Sequence, residues 1–160
     1  MRVRLAEAAD ASSLAELRVR WTEELDGPTD DPSFLDRFEA WFARESAHRV
    51  TWLAETDEGS PVGMLNVMVF ERMPRPGRAT GRWGYVANVY VVPQHRDAGV
   101  GGRLMEALTS YADEAGLVRL VLSPTARSVS LYERAGFSGD HDLLVRPRGE
   151  VTAPGAGPRS

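Results

Sequence analysis

Gly99 and Gly101 lie in the run Val89-Tyr90-Val91-Val92-Pro93-Gln94-His95-Arg96-Asp97-Ala98-Gly99-Val100-Gly101-Gly102-Arg103-Leu104, which reads as a strand, a turn and the start of a helix. A helix N-terminus presents unpaired N–H groups and a partial positive charge, so such a turn suits a phosphate. Glycine lets a ligand approach the backbone and accepts unusual dihedrals. Arg96 and Arg103 flank the turn and could add charge-assisted contacts. Two common phosphate motifs fail here. The dinucleotide fingerprint needs a third glycine where Leu104 stands, and the Walker loop needs a lysine, of which the chain has none. The plain alternative is that the glycines serve only tight helix–strand packing.

The rest of the composition excludes more chemistry than it suggests. There is no cysteine, hence no disulfide, thiolate metal site or cysteine nucleophile. Without lysine there is no Schiff base or lysine general base. His48, His95 and His141 are scattered without metal-ligand spacing, so no metal is expected. The net charge of −4 disfavours a nucleic-acid partner. No apolar run approaches the roughly 18 residues of a membrane span, and the cytoplasm is the default compartment.

The elements that must position the turn follow from periodicity. Residues 3–5 read as a strand, and 11–24 as an amphipathic helix carrying Leu14, Leu17, Arg18 and Trp21, with Asp10 or Ser12 as its cap. Phe34, Phe38, Trp41 and Phe42 recur at helical steps, giving a second helix over 33–46 whose aromatic stripe reads as core. Strands are expected at 50–54, 61–70 and 85–92, the last two joined by a long Arg-, Pro- and Gly-rich loop over 71–84. A helix follows from Val100 to Ala115 with Gly116 as its stop. Then come a buried strand (117–122), a short helix (127–135) closed by Gly136, and a last strand region from Phe137 to about Val145. Residues 146–160 are Pro, Gly and Arg without periodicity and read as a disordered tail. The length suits one domain, residues 1–145. The fold class is α/β, with a mixed (α+β) sheet and helices on both faces.

Arg96-Asp97-Ala98-Gly99-Val100-Gly101 resembles the Gln/Arg-x-x-Gly-x-Gly/Ala signature of the GNAT superfamily of acetyl-CoA-dependent N-acetyltransferases, and Asn88-Val89-Tyr90-Val91-Val92-Pro93 looks like that family's fourth strand and its exit. Leu131-Tyr132-Glu133-Arg134-Ala135-Gly136-Phe137 resembles its Leu-Tyr-Glu-x-x-Gly-Phe element. The resemblance implies a six- to seven-stranded mixed sheet and acetyl-CoA as co-substrate. Arg96, Asp97, Ala98, Gly99, Val100, Gly101, Gly102 and Arg103 would hold the coenzyme pyrophosphate. A bulged fourth strand would leave a donor near Val89, Tyr90 and Val91 for the thioester carbonyl. Tyr132 would face the sulfur, where a phenol of ordinary pKa near 10 suits a departing thiolate. The family often has an asparagine seven residues before this tyrosine. Thr125 stands there, and Thr125 or Ser128 could serve instead.

The implied activity is acetyl transfer to a primary amine of a small molecule or a peptide, by direct attack in a ternary complex. A homodimer stays open. The acidic base candidates are Glu23, Glu24 and Glu71, and the acidic segment 23–31 could attract a cationic amine or simply be solvated. Two other readings stand beside this one. One is a non-catalytic acyl-CoA-binding regulatory module. The other is an acetyltransferase toxin acting on aminoacyl-tRNA, for which Arg72, Arg75, Arg78 and Arg82 could supply contacts.

Overall fold

The computed structural model describes residues 1–139, 141 and 143–145. The chain runs β1 (Arg2–Leu5), α1 (Ala11–Asp26), α2 (Phe34–Glu45), β2 (Arg49–Glu55), β3 (Pro61–Glu71), β4 (Arg82–Val91), α3 (Val100–Glu114), β5 (Leu117–Val121) and α4 (Val129–Arg134). Five strands form one sheet in chain order, β1-β2-β3-β4-β5, antiparallel except for the parallel β4–β5 pair. This is the expected mixed sheet with fewer strands. Of the expected last strand, Phe137 and Ser138 continue without strand pairing after Gly136 at φ 86, and Leu143, Leu144 and Val145 are exposed without a ladder. Small and polar residues, Ser138 and Gly139, supply no apolar alternation there to bury. The expected tail, 146–160, lies outside the described residues.

Strand alternation sets the layers. On β3, a Cβ at Gly63 would meet Leu104 and Val100 of α3 at 3.4 Å each. The neighbouring Met64 therefore faces the other way, with its partner Tyr90, which stacks on Trp21 of α1 at 5.6 Å. Thus α1 and α3 cover opposite faces. Trp52, paired with Leu65, lies on the α3 side, edge-on to Tyr111 at 5.5 Å. Leu14, Leu17, Leu53, Leu65, Val67, Leu104 and Leu108 are sealed from solvent, each side chain contributing about 1.5–3 kcal/mol of burial. The aromatic stripe of α2 is less deeply placed than expected. Phe38 contacts Phe34, Trp41 and Phe42, and Phe38 and Phe42 pack on the core, but no α2 residue is fully buried.

Asp10 precedes α1 but makes no side-chain cap. Its carboxylate instead accepts both Arg4 Nη groups, at 2.7 and 2.8 Å, while Arg4 also reaches Glu55. This network staples β1, β2 and the entry to α1. Buried Asn66 is satisfied from both sides: its amide donates to Thr51 at 2.7 Å and its carbonyl accepts from Arg49 at 3.0 Å.

Candidate active site

After β4, Pro93–His95 form a 3₁₀ turn and the chain reverses through two left-handed residues, Asp97 (φ 59) and Gly99 (φ 80). Gly99 is the N-cap of α3 and makes no side-chain cap bond. The first helix amide bonded back is that of Arg103, to the Gly99 carbonyl at 3.1 Å. Among the described residues, no acceptor takes the amides of Asp97, Ala98, Gly99, Val100, Gly101 or Gly102. A run of free N–H donors at the start of a 15-residue helix is an anion cradle.

The glycines divide the work. Gly99 supplies the left-handed φ, and nothing lies within 4 Å of a Cβ added there or at Gly102. A Cβ at Gly101 would stand 3.4 Å from Leu131 on α4. At Gly101 the start of α3 thus lies beside Leu131 of α4, which brings the two sequence motifs together in space.

β4 is bulged where it meets the site. Asn66 pairs with Ala87 and Met64 with Tyr90, which leaves Leu65 opposite both Asn88 and Val89. Asn88 takes φ 54, a left-handed value that asparagine tolerates better than most residues. The irregularity thus starts one residue before the expected Val89–Val91 stretch. The side chain of Tyr90 is buried towards α1, and Val91 pairs with Gly63. A Cβ at Gly63 would lie 3.1 Å from the Tyr90 carbonyl, so the strands approach closely there. On the other edge, β5 pairs with β4 only through Arg82–Leu117, Gly84–Leu120 and Tyr85–Val121. Beyond Tyr85 the two strands part, and the β4 edge from Val86 to Val91 faces an opening.

Tyr132 lies on α4, half-buried, with Phe137 edge-on at 6.0 Å. Burial pushes its phenol above the usual value of 10, with the Ser128 hydroxyl acting the other way. Tyr132 lines a cavity of about 910 Å³ with Leu120, Val121, Leu122 and Phe137. The glycine turn does not line that cavity, which lies between α3, β5 and α4, so the turn and the strand opening mark the coenzyme site better than this cavity does. Thr125 and Ser128 are committed to each other in a capping box: the Thr125 amide donates to Ser128 Oγ at 3.0 Å and the two hydroxyls lie 2.9 Å apart. Their first task is to start the 3₁₀ turn Ala126–Ser128 that leads into α4.

Neither flanking arginine has an unengaged guanidinium. Arg96 grips Glu24 through two bonds and donates Nε–H to the Val91 carbonyl at 2.9 Å. Arg103 donates to the Met1 carbonyl at 3.0 Å. Of the base candidates, Glu24 is held below the usual carboxylate range by the Arg96 hydrogen bonds, which makes it a poor proton acceptor. Glu71 pairs with Arg82, six positions from Asn88 along β4, or about 20 Å at 3.3 Å per residue. Glu23 stays exposed near the α1–α2 connection. Two features escaped the sequence reading. The Trp21–Tyr90–Arg96–Glu24 cluster has Trp21 as its only clue, on the apolar face of α1. The left-handed turn at Asn88 had a weak clue in the asparagine itself.

The Acetyltransferase (GNAT) family model matches residues 12–137, and the chain belongs to that family. Its members are acetyltransferases, and this chain is an enzyme of that class. Over 88 residues it is 32% identical to a glucosamine 6-phosphate N-acetyltransferase of Trypanosoma brucei brucei, a match that covers 55% of this chain and 57% of that protein. Over 145 residues it is 29% identical to YhfO of Bacillus subtilis, an uncharacterized N-acetyltransferase, covering 88% and 91% of the two chains. The fold superposes with TM-score 0.71 on a predicted acetyltransferase from Clostridium acetobutylicum solved with acetyl-CoA, at 22% identity and 92% and 95% coverage. Among the described residues, no helix is long and apolar enough to cross a membrane.

Proposed function

We propose that this chain transfers the acetyl group of acetyl-CoA to a primary amine of a small molecule or a peptide, by direct attack in a ternary complex. The observation that carries this reading is the run of unbonded amides from Asp97 to Gly102, placed at the same end of β4 as the strand edge that β5 leaves open. A diphosphate calls for such donors, and an amide-containing arm calls for such an edge. The residues present therefore fit the coenzyme.

When bound, acetyl-CoA supplies an activated acyl group. The chain's own residues do the rest. The amides of residues 97–102 hold the diphosphate, and the open edge of β4 aligns the arm. The bulge at Asn88–Val89 frees a backbone donor to polarise the carbonyl under attack. The Tyr132 phenol, kept protonated by burial, gives its proton to the departing thiolate as the C–S bond breaks. Of the three carboxylates considered, Glu23 alone remains available to relay the proton lost by the amine. The amine enters from the face covered by α1, α2 and the connection between them, where families on one fold vary their specificity.

The test is an acceptor screen that reads thiol release. The chain has no cysteine, so every thiol detected comes from the coenzyme. Amino acids, polyamines, aminoglycosides and peptides belong in the screen, with glucosamine 6-phosphate, the substrate named for the trypanosomal relative. Coenzyme binding without turnover on any amine would favour a non-catalytic acyl-CoA-binding module. The tRNA reading keeps one observation: Arg72, Arg75 and Arg78 line a 370 Å³ hollow on the β3–β4 loop, and none forms an ion pair among the described residues. Steep salt dependence of RNA binding would support it.

A further inference from the structure

Glu24 and Arg96 are 72 residues apart in sequence and meet as a planar fork, with Arg96 Nη1 to Oε1 at 2.7 Å and Nη2 to Oε2 at 2.6 Å. The third donor of the same guanidinium, Nε–H, binds the carbonyl of Val91, the last residue of β4. The guanidinium also lies 5.7 Å from the Tyr90 ring centre, and Tyr90 stacks on Trp21, one turn before Glu24 on α1. The two ionic side chains are only 21% and 33% exposed, which separates them from ordinary surface pairs. One guanidinium thus joins the end of α1, the end of β4 and the entry to the glycine turn.

That entry needs an anchor. The backbone bonds Arg96 N to Pro93 O and Arg103 N to Gly99 O bracket the turn, and between them the amides of the left-handed Asp97 and Gly99 donate to no acceptor among the described residues. The donors of residues 97–102 converge on one anion only while the segment entering them is fixed.

We propose that Glu24 is a positioning residue for the coenzyme turn: through the fork it clamps Arg96, and Arg96 fixes the chain from which the turn amides project. Arg96 is then not a phosphate ligand, and Glu24 is not a base. The inference rests on the reading of this turn as the coenzyme site. Its functional consequence is that a residue on the acceptor-side helix sets affinity for the donor.

Simple electrostatics makes the opposite prediction, which gives the test its sign. Removing a carboxylate from beside an anion site, and releasing a guanidinium next to it, would strengthen coenzyme binding by Coulomb attraction alone. Positioning demands weakening. Calorimetric titration of coenzyme A into the full chain is expected to show binding by the wild type. Glu24→Gln should bind roughly five- to thirtyfold more weakly, as expected when a preorganised site must be ordered on binding. Arg96→Lys keeps the charge and loses the fork, so it should weaken binding to a similar extent. Combining Glu24→Gln with Arg96→Gln should cost no more than Arg96→Gln alone, because Glu24 acts only through Arg96. Thermal melts run alongside confirm that each variant is folded at the titration temperature. Equal or tighter binding by Glu24→Gln overturns the inference, as does an undiminished Glu24 effect in the Arg96→Gln background. A wild type that fails to bind coenzyme A overturns the site itself, and the clamp falls with it.

Discussion

Replacing Gly99 with alanine separates the strain of the turn from its purpose. Gly99 sits at φ 80, and an added Cβ would meet nothing within 4 Å. The only direct cost is therefore conformational, about 1–2 kcal/mol for an L-residue held in the left-handed region. For a chain of this length that lowers Tm by about 2–8 °C. Gly59 is a matched control, at φ 85 with equally open surroundings and in a different turn. Gly59→Ala should show the same Tm loss with unchanged coenzyme affinity. Gly102→Ala is the converse, since an open helical glycine replaced by alanine gains up to about 1 kcal/mol. If the free amides from Asp97 to Gly102 are the diphosphate cradle, Gly99→Ala should weaken coenzyme A binding about tenfold or more, because the φ of Gly99 aims the donors on either side of it. Calorimetry and thermal melting on the three variants give the answer. A Gly99→Ala protein that melts lower but binds like Gly59→Ala would refute the assignment of the cradle.

Tyr132→Phe should lower turnover by roughly ten- to a thousandfold with little change in coenzyme affinity, and the deficit should shrink at high pH. Because burial raises the Tyr132 pKa, the wild-type phenol stays protonated beyond its ordinary value, so the wild type should hold its rate past pH 10 in a pH–rate profile. A Phe variant at wild-type rate leaves Tyr132 a packing residue. Asp10→Asn should destabilise by about 1–2 kcal/mol at neutral pH in urea melts. The folded Asp10 pKa is depressed, first of all by Arg4, so its contribution is full above about pH 4, the unfolded value. It is lost as pH falls through the folded value, and the gap between variant and wild type should close there. Gly84→Ala should cost about 1–3 kcal/mol, because its Cβ would fall 2.7 Å from Leu120 Cδ2 and 2.9 Å from Val67 Cγ2. Leu120→Val in the same chain should recover part of that loss, as read by Tm.

What could be read from the residues was what depends on neighbours in sequence. The helical spacing of Leu14, Leu17 and Trp21, the glycine stops at Gly116 and Gly136, and the turn before Val100 all act within a few positions, and the structure has them where the spacing put them. β4 starts earlier than its β-prone core suggested, at Arg82, because pairing with β3 and β5 draws Trp83 and Gly84 into the sheet. The Asn88 bulge was displaced for a related reason. Register is decided by the partner strand, and Leu65 alone reveals it. Arg96 read as a phosphate ligand because its motif says nothing of Glu24, which reaches it only through the packing of α1 on the sheet. Thr125 and Ser128 were weighed for a ligand, whereas their hydroxyls are used locally in capping.

The parting of β4 and β5 also bears on how the molecule opens. β5 is an edge strand held to the sheet by three pairs with the first part of β4, and its residues Val118 and Arg119 are exposed. It is the natural first strand to fray, and amide hydrogen exchange should be faster there than in β2 or β3. A ligand lying where the two strands part would act as a missing rung, slowing exchange along Val86–Val91 more than elsewhere. Exchange protection would then trace the ligand's path through the sheet without any need to know which amine the enzyme acetylates.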